Sequence, residues 1–396
     1  MKIVHTNKAY APLVGGIETA VTLLAEGLSR VNGIENEVLV CNHRRSFRSL
    51  RRTINGVPVT YVPSWGSVAS LPISPSYPLS LSGLKGDILH LHVPFPLADL
   101  SILTFPGILK NFSHVVLSWY GEIVRQRWAM PLYGPMIHRV LRRAERILVS
   151  APGLIDVSEY LPHYRDRCEV IPLGLNLDWT SRPEGRIGRV REIRAGCRTP
   201  LILFVGRLVY YKGLSYLVEA MSMVREASLV VIGSGPLRGR LMADIARFGL
   251  QDRIRVFPQV PEEELHAFYE ACDLLVLPST EPSESFGLVQ VEAMACGKPV
   301  VSTRIGTGVP FVNQDGITGL TVPPRDAAAL GGALEKLAAN PDLRGVFGQN
   351  ARERAFREFT AEKMVARTIN VYERLMAGAP SHQLSHRPPG EHGTGT

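Results

Sequence analysis

The stretch SESFGLVQVEAMACGKPV, residues 283–300, sets Glu284 and Glu292 eight positions apart around a Phe-Gly pair. The first acid follows the apolar run LLVLPS and precedes a helix; the second falls inside that helix. Elsewhere in the chain a capping acid and a solvated helix acid would be the plain reading of such a pair, but this one sits where an open α/β sheet binds ligands. Three other stretches have residue types that suit an anion. FVGRLVYYKG puts Arg207 and Lys212 directly after an apolar run, where two cations can clamp a diphosphate. Either one alone reads by default as a solvated surface charge. VIGSGPLR places Gly233 and Gly235 in a turn with Pro at the following helix start, suited to close approach by a nucleotide. Gly15 and Gly16 precede the first helix and let backbone N–H groups approach an anion, though a plain turn has the same composition.

These stretches need elements that bring them together. KIVHT reads as a strand, APLVGG as a loop, and IETAVTLLAEGLSR as a helix with its apolar face at Ile17, Val21, Leu24 and Leu28. EVLVC, VPVTYV, DILHLHV, VVLSWY, RILVSA and CEVIPL follow as strands, with helices such as MIHRVLRRAERI between them. After the polar stretch TSRPEGRIGRVREIRAGCRTP the alternation restarts with LILFVG, ASLVVIG, IRVFPQV and DLLVLPS. Strand and helix in alternation predict parallel sheets covered on both faces, an α/β protein with two Rossmann-like domains across a cleft. The expected boundaries are 1–180, 181–360, a C-terminal helix 361–377 packing back on the first domain, and a disordered tail 378–396. Ligands of such sheets bind at the carboxyl ends of the strands, where all four stretches sit.

Composition narrows the partners. A chain of 396 residues with 45% apolar and 20% charged residues can bury two cores. The net charge of +8 suits an anionic ligand or an acidic membrane surface, but no zinc-finger or aromatic RNA-binding signature accompanies it, which argues against nucleic acid. Cys41, Cys168, Cys197, Cys272 and Cys296 are widely spaced without C-x-x-C, which points to a reducing compartment and away from zinc. With no apolar leader and no run of 18 apolar residues, the expected location is cytoplasmic, at most resting on the inner face of a membrane.

GGIE, GRLVYYKG, IGSGP and above all ESFGLVQVEAMACGKPVV, continued by GTGVPFVNQDGITGLTVPP, resemble the nucleotide-sugar-dependent retaining glycosyltransferases of the GT-B fold, of the group 1 or family 4 type. The resemblance spans nearly the whole chain, and its most specific element is the E-x7-E pattern Glu284 to Glu292. It implies transfer of a hexosyl unit from a GDP- or UDP-sugar to an acceptor hydroxyl, with retention at the anomeric carbon. The acceptor implied is a lipid-linked or carbohydrate precursor of a polysaccharide or glycolipid.

By that resemblance Glu284 accepts hydrogen bonds from sugar hydroxyls, and backbone N–H groups of Phe286, Gly287 and Leu288 open a helix toward the sugar and diphosphate. Glu292 is placed for the ribose hydroxyls, and Gln259 and Val260 lie near the base. Arg207 and Lys212, helped by Gly15 and Gly16, would stabilise charge on the departing diphosphate. The chain has no D-x-D pair, so neither a metal nor another cofactor is expected at the phosphates.

One position departs from the family pattern: Tyr120 stands where many relatives have a His that reaches the donor sugar. A phenol can hydrogen-bond there but cannot hold a proton near pH 7 as imidazole does. A catalytically silent, nucleotide-sugar-binding partner subunit and a nucleotide-sugar epimerase are the competing readings. His90 and His92 are read as pointing to opposite faces of their strand, His90 into the core and His92 toward the acceptor side with Glu122 and Arg125. Finally, Arg139, Arg142, Arg143 and Arg146 are read as one basic helix face, with Ile137, Val140, Leu141 and Ile147 turned toward the core or a bilayer. That face is either solvated or the seat of peripheral contact with an anionic membrane.

Overall fold

The computed structural model describes residues 1–13, 15–68, 71–121, 130–181 and 184–378. Sixteen strands are present among them. In the first half these are β1 (Lys2–Thr6), β2 (Glu35–Cys41), β3 (Leu50–Ile54), β4 (Val57–Val62), a small hairpin of β5 (Ser67–Val68) and β6 (Leu71–Pro72), β7 (Gly86–Val93), β8 (Phe112–Trp119), β9 (Arg146–Val149) and β10 (Cys168–Val170). In the second half they are β11 (Leu201–Val205), β12 (Ser228–Ile232), β13 (Ile254–Phe257), β14 (Leu274–Leu277), β15 (Val300–Thr303) and β16 (Gly319–Val322).

The strands make two α/β sheets, in the order β10-β9-β8-β7-β1-β2-β4-β3 and β13-β12-β11-β14-β15-β16. Every pairing is parallel except those of β3 with β4 and of β5 with β6. Central strands such as LILFV and SLVVI are buried along their whole length, as a sheet covered on both faces requires. The antiparallel β3 was not foreseen: its sequence LRRTI is mostly polar and exposed, as suits an edge strand.

The polar stretch between the sheets is partly helical. Ile187–Ala195 packs on Glu262–Ala271, tied by Arg194 to Asp273 at 2.7 Å and by an ion pair of Arg186 with Glu270. Its sequence IGRVREIRA buries only Ile193, so almost no apolar period announces it. The chain crosses back at the other end of the second half. Leu175 N donates to Phe359 O and Ala361 N to Leu175 O, both at 2.9 Å, and the helix Ala361–Met376 then lies against the helix Gly16–Leu28. One apolar cluster consequently runs through both halves, from Ile3, Leu24 and Tyr120 to Phe286, Phe359 and Tyr372. Phe359, fully buried, meets Phe286 edge-to-face at 5.8 Å. That contact locks the returning segment under the loop of Glu284, and removing a ring so buried costs about 3–5 kcal/mol.

The helix Met130–Arg143 decides one expectation and corrects another. Ile137, Val140, Leu141 and Ile147 are all buried in the first half's core, so these four turn to the core and not to a bilayer. Arg146 is not on the helix at all but opens β9, because the helix ends at Arg143. No helix among the described residues is long and apolar enough to cross a membrane. Glu122 and Arg125, and the tail from residue 379 onward, lie outside the described residues.

Candidate active site

Three segments at the carboxyl ends of the second sheet converge. After β11 the chain passes Gly206 and Arg207 into a short 3-10 turn, Tyr210–Lys212, and Gly213 then starts the helix Leu214–Met223. After β14 it passes Ser279 and Glu284 to Gly287, which starts the helix Leu288–Ala295. After β12 it turns through Gly233 and Gly235. Gly213 has φ +67°, and a Cβ there would lie 1.9 Å from Pro278 O, so only glycine lets these two loops touch. Thr280 N donates to Tyr211 O at 2.7 Å and completes that contact.

The result is a buried ion pair between Lys212 and Glu284, whose side chains are only 8% and 11% exposed. Ser279 Oγ donates to Glu284 Oε2 at 3.0 Å, and Thr307 Oγ1 donates to the Glu284 carbonyl at 2.7 Å. The acid is thus held from three sides. Arg207, by contrast, is exposed and makes no ion pair among the described residues. A fixed lysine and a free arginine on one loop can together meet an anion larger than a single carboxylate.

Glu292 lies on the helix Leu288–Ala295 and accepts a hydrogen bond from the Tyr269 hydroxyl. Burial pushes its carboxyl up to about 7, although the Tyr269 bond works in the opposite direction. Phe286 is buried in the core, while Leu288 is partly exposed on the first turn. That helix and those begun by Gly15 and Gly213 have no side-chain cap, which leaves first-turn N–H groups without a side-chain acceptor. The later helices differ: Asp326, Asn340 and Thr360 each cap their own.

The glycine signals divide into two kinds. A Cβ on Gly233 or Gly235 would lie 1.9 Å from Gly206 O or 2.4 Å from Leu208 O, so these two residues serve the packing of loop on loop. Gly16 has nothing within 4 Å of its Cβ direction, and at Gly15 only the flexible Glu18 carboxylate intrudes. Among the described residues no packing demand accounts for that pair. Gln259 joins the Gly233–Gly235 turn, its N–H donating to Ser234 Oγ at 3.3 Å, with the partly exposed Val260 beside it.

The two sheets meet at this end. Gly121, next to Tyr120, would bring a Cβ to 3.6 Å from that of Ser285, and Gly153 packs against the backbone of Gly306 and Thr307. Tyr120 itself is buried, and its hydroxyl lies 3.0 Å from His92 Nδ1. His90 and His92 are on one face of β7, not opposite faces, since residues two apart on a strand point the same way. Their rings stack with centroids 4.2 Å apart.

With His5 these residues form a fully buried cluster. His5 Nδ1 is 3.1 Å from His92 Nε2, His90 Nδ1 is 2.6 Å from the Tyr372 hydroxyl, and His90 Nε2 is 2.8 Å from Ser118 Oγ. His92 is therefore a core residue, contrary to its assignment to an open acceptor surface. Burial lowers His5 to about 3 and holds His90 and His92 well below the ordinary histidine range, so all three are neutral at pH 7. Three neutral imidazoles this close are the raw material of a metal centre. Here, however, both nitrogens of His90 and both of His92 are engaged in hydrogen bonds. The cluster suits a hydrogen-bonded core better than a metal.

Sequence reasoning missed Tyr269, Ser279, Thr307 and His5. They support or neighbour the residues it found, and each lies in a strand, helix or loop whose sequence has an ordinary structural reading.

Comparison with known proteins agrees with this architecture. Residues 15–174 match the family model "Glycosyl transferase 4-like domain", and residues 191–354 match "Glycosyl transferases group 1". The O-antigen chain mannosyltransferase C of Escherichia coli is 30% identical over 95% of this chain and 99% of its own length. The D-rhamnosyltransferase WbpZ of Pseudomonas aeruginosa is 33% identical over 91% of this chain and 93% of its own length. The sucrose-phosphate synthase of Thermosynechococcus elongatus superposes with a TM-score of 0.77 at 22% identity, over 96% of this chain and all of that one. With two sheets facing across loops that gather Lys212, Glu284 and Arg207, and relatives matched end to end, the chain belongs to the group 1 glycosyltransferases of the GT-B fold.

Proposed function

We propose that this chain moves a hexosyl unit from a nucleoside diphosphate sugar to a hydroxyl of a lipid-linked or polysaccharide precursor, with retention at the anomeric carbon. The observation that carries the reading is the buried Lys212–Glu284 pair with Arg207 exposed on the same loop. Two relatives matched along almost their whole length are named for transfer of mannose in an O-antigen chain and of D-rhamnose, which supports a deoxyhexosyl or hexosyl donor and a glycan acceptor.

In this reading the second half, residues 181–360, holds the donor and the first, 1–180, faces the acceptor. The diphosphate lies against Arg207 and Lys212, whose charges meet the negative charge that grows on it as the glycosidic bond breaks. Glu284 accepts hydrogen bonds from the sugar hydroxyls as its contact with Lys212 is shared with phosphate. Glu292 accepts from the ribose hydroxyls, the turn at Gly233–Gly235 with Gln259 and Val260 lines the base, and the N-termini at Gly15–Gly16 and at Phe286, Gly287 and Leu288 supply N–H dipoles. Tyr120 supports the sugar-facing end of β8 from below through its bond to His92.

The test is isothermal titration of the protein with GDP, UDP and their sugars, followed by donor turnover. Binding of one nucleoside diphosphate that is weakened in Arg207→Ala supports the assignment. No binding of any of them would remove it.

A further inference from the structure

The loop that carries Arg207 and Lys212 also holds an aromatic ring that the donor reading does not use. Among the described residues of the second half, Tyr210 is the one aromatic side chain in the open, 53% exposed. A single exposed ring is ordinary on a surface, so its place decides what it means. Its hydroxyl lies 3.2 Å from the Oγ of Ser283, the residue before Glu284, and its ring meets that of Tyr211 edge-on with centroids 5.4 Å apart. Tyr211 in turn lies under the Lys212 ammonium, 5.7 Å from its ring centre. β11 and β14 are neighbours in the sheet, so their loops leave it side by side, and Tyr210 bridges the loop of Lys212 to the loop of Glu284. Ser285, on the other side of Glu284, is where that loop meets Gly121 of the first half. The ring therefore stands beside the buried pair, on the stretch where the two halves approach.

Retention constrains where the acceptor lies. However many steps intervene, the acceptor oxygen must end on the face of the anomeric carbon that the diphosphate leaves. The acceptor ring consequently lies beside the residues that hold the diphosphate, Arg207 and Lys212, and Tyr210 is between them in the chain. A pyranose has a face of C–H groups, apolar and partly positive, and the face of an aromatic ring carries the complementary negative charge of its quadrupole. Tyrosine presents such a face at low entropic cost, since two torsions fix it, and here the contact with Ser283 fixes its far end.

We infer that Tyr210 is the stacking platform for the saccharide ring that receives the glycosyl unit, so that the second half, and not the first alone, selects the acceptor. The inference rests on the reading of a retaining transferase with its diphosphate at Arg207 and Lys212. It gives Tyr210 a part in acceptor affinity and none in nucleotide affinity, which keeps the two separable.

The experiment is saturation-transfer difference NMR of the full chain, loaded with whichever of GDP and UDP it binds by calorimetry. The probes are methyl α-D-mannopyranoside, methyl α-D-rhamnopyranoside and methyl β-D-glucopyranoside. Stacking on a ring tolerates a change of hydroxyl configuration, so at least one of them binds loaded wild type, with saturation strongest at the C–H protons of one face. Tyr210→Ala weakens that binding roughly two- to tenfold, the worth of one aromatic stacking contact, and leaves nucleoside diphosphate affinity unchanged. Tyr210→Phe, which keeps the ring and loses the contact with Ser283, binds the glycoside as wild type does. No glycoside binding by loaded wild type overturns the inference. Tyr210→Phe as weak as Tyr210→Ala overturns it by assigning the residue to the bridging of two loops. Binding that survives Tyr210→Ala but is lost in Glu284→Gln overturns it by putting the glycoside in the donor sugar's own position. A fall in nucleoside diphosphate affinity in Tyr210→Ala gives the ring to the nucleotide and overturns it as well. Wild type that binds neither GDP nor UDP removes the donor reading, and this inference with it.

Discussion

Glu284→Ala separates a structural role from a catalytic one because its partner is a buried lysine. The pair is 8% and 11% exposed at its two side chains, so removing the acid leaves Lys212 as a desolvated charge with no anion beside it. Breaking a buried pair in this way costs about 3–5 kcal/mol. For a folding unit of some two hundred residues that is a fall in Tm on the order of 10 °C. The freed ammonium should then be satisfied by phosphate, so nucleoside diphosphate should bind Glu284→Ala at least as tightly as wild type and raise its Tm by more. Transfer should nevertheless be lost, since the sugar has no carboxylate to meet. Differential scanning fluorimetry with and without nucleotide, run beside a turnover assay, reads all three. Weaker nucleotide binding with an unchanged Tm would refute the reasoning, since it would show that Glu284 holds the nucleotide and does not balance Lys212.

Arg207→Ala, at an exposed position without an ion pair among the described residues, should leave Tm unchanged while nucleotide affinity falls by about 1.5–3 kcal/mol, one to two orders of magnitude by calorimetry. Tyr120→Phe leaves His92 Nδ1 without its partner, so a loss of about 1–3 kcal/mol in stability is expected by chemical denaturation. Turnover should fall about tenfold or more if the hydroxyl also steadies the sugar site, and full turnover would assign Tyr120 to packing alone. Glu292 sets a pH dependence. Burial raises its carboxyl to about 7 in the fold from the ordinary glutamate value when unfolded, so its contribution to stability is greatest below that ordinary value and is lost as pH rises toward about 7. Donor affinity runs the other way, because hydroxyls donate to the carboxylate: it should rise through about pH 7 in wild type and stay flat in Glu292→Gln.

Much of the fold was legible because fully buried parallel strands such as LILFV and SLVVI have almost no other reading. What escaped was local and polar. The edge strand LRRTI and the linker helix IGRVREIRA bury too little apolar surface to leave a period in the sequence. At the site, the residues proposed to touch a ligand were named from type, position and family resemblance, but not their partners. Nothing in the sequence joins Tyr269 to Glu292, or Ser279 and Thr307 to Glu284, since these contacts arise only where neighbouring strands end together. The histidines show a different limit. His5, His90 and His92 come from two strands, and only the pairing of β1 with β7, Val4 with Leu89 and His5 with His90, makes them one cluster.

Retaining transfer at the Lys212–Glu284–Arg207 site is the central claim, and the anomeric configuration of the product tests it most directly. The protein is incubated with GDP- and UDP-sugars of known anomeric configuration and a polyprenyl-linked saccharide acceptor, nucleoside diphosphate release is followed, and the new glycosidic bond is read by proton NMR. The account predicts release from one donor base, a product with the donor's own anomeric configuration, turnover unaffected by a metal chelator, and loss of transfer in Glu284→Ala. An inverted product, or tight binding of a nucleotide sugar with no transfer to any acceptor and no slow hydrolysis, would contradict it.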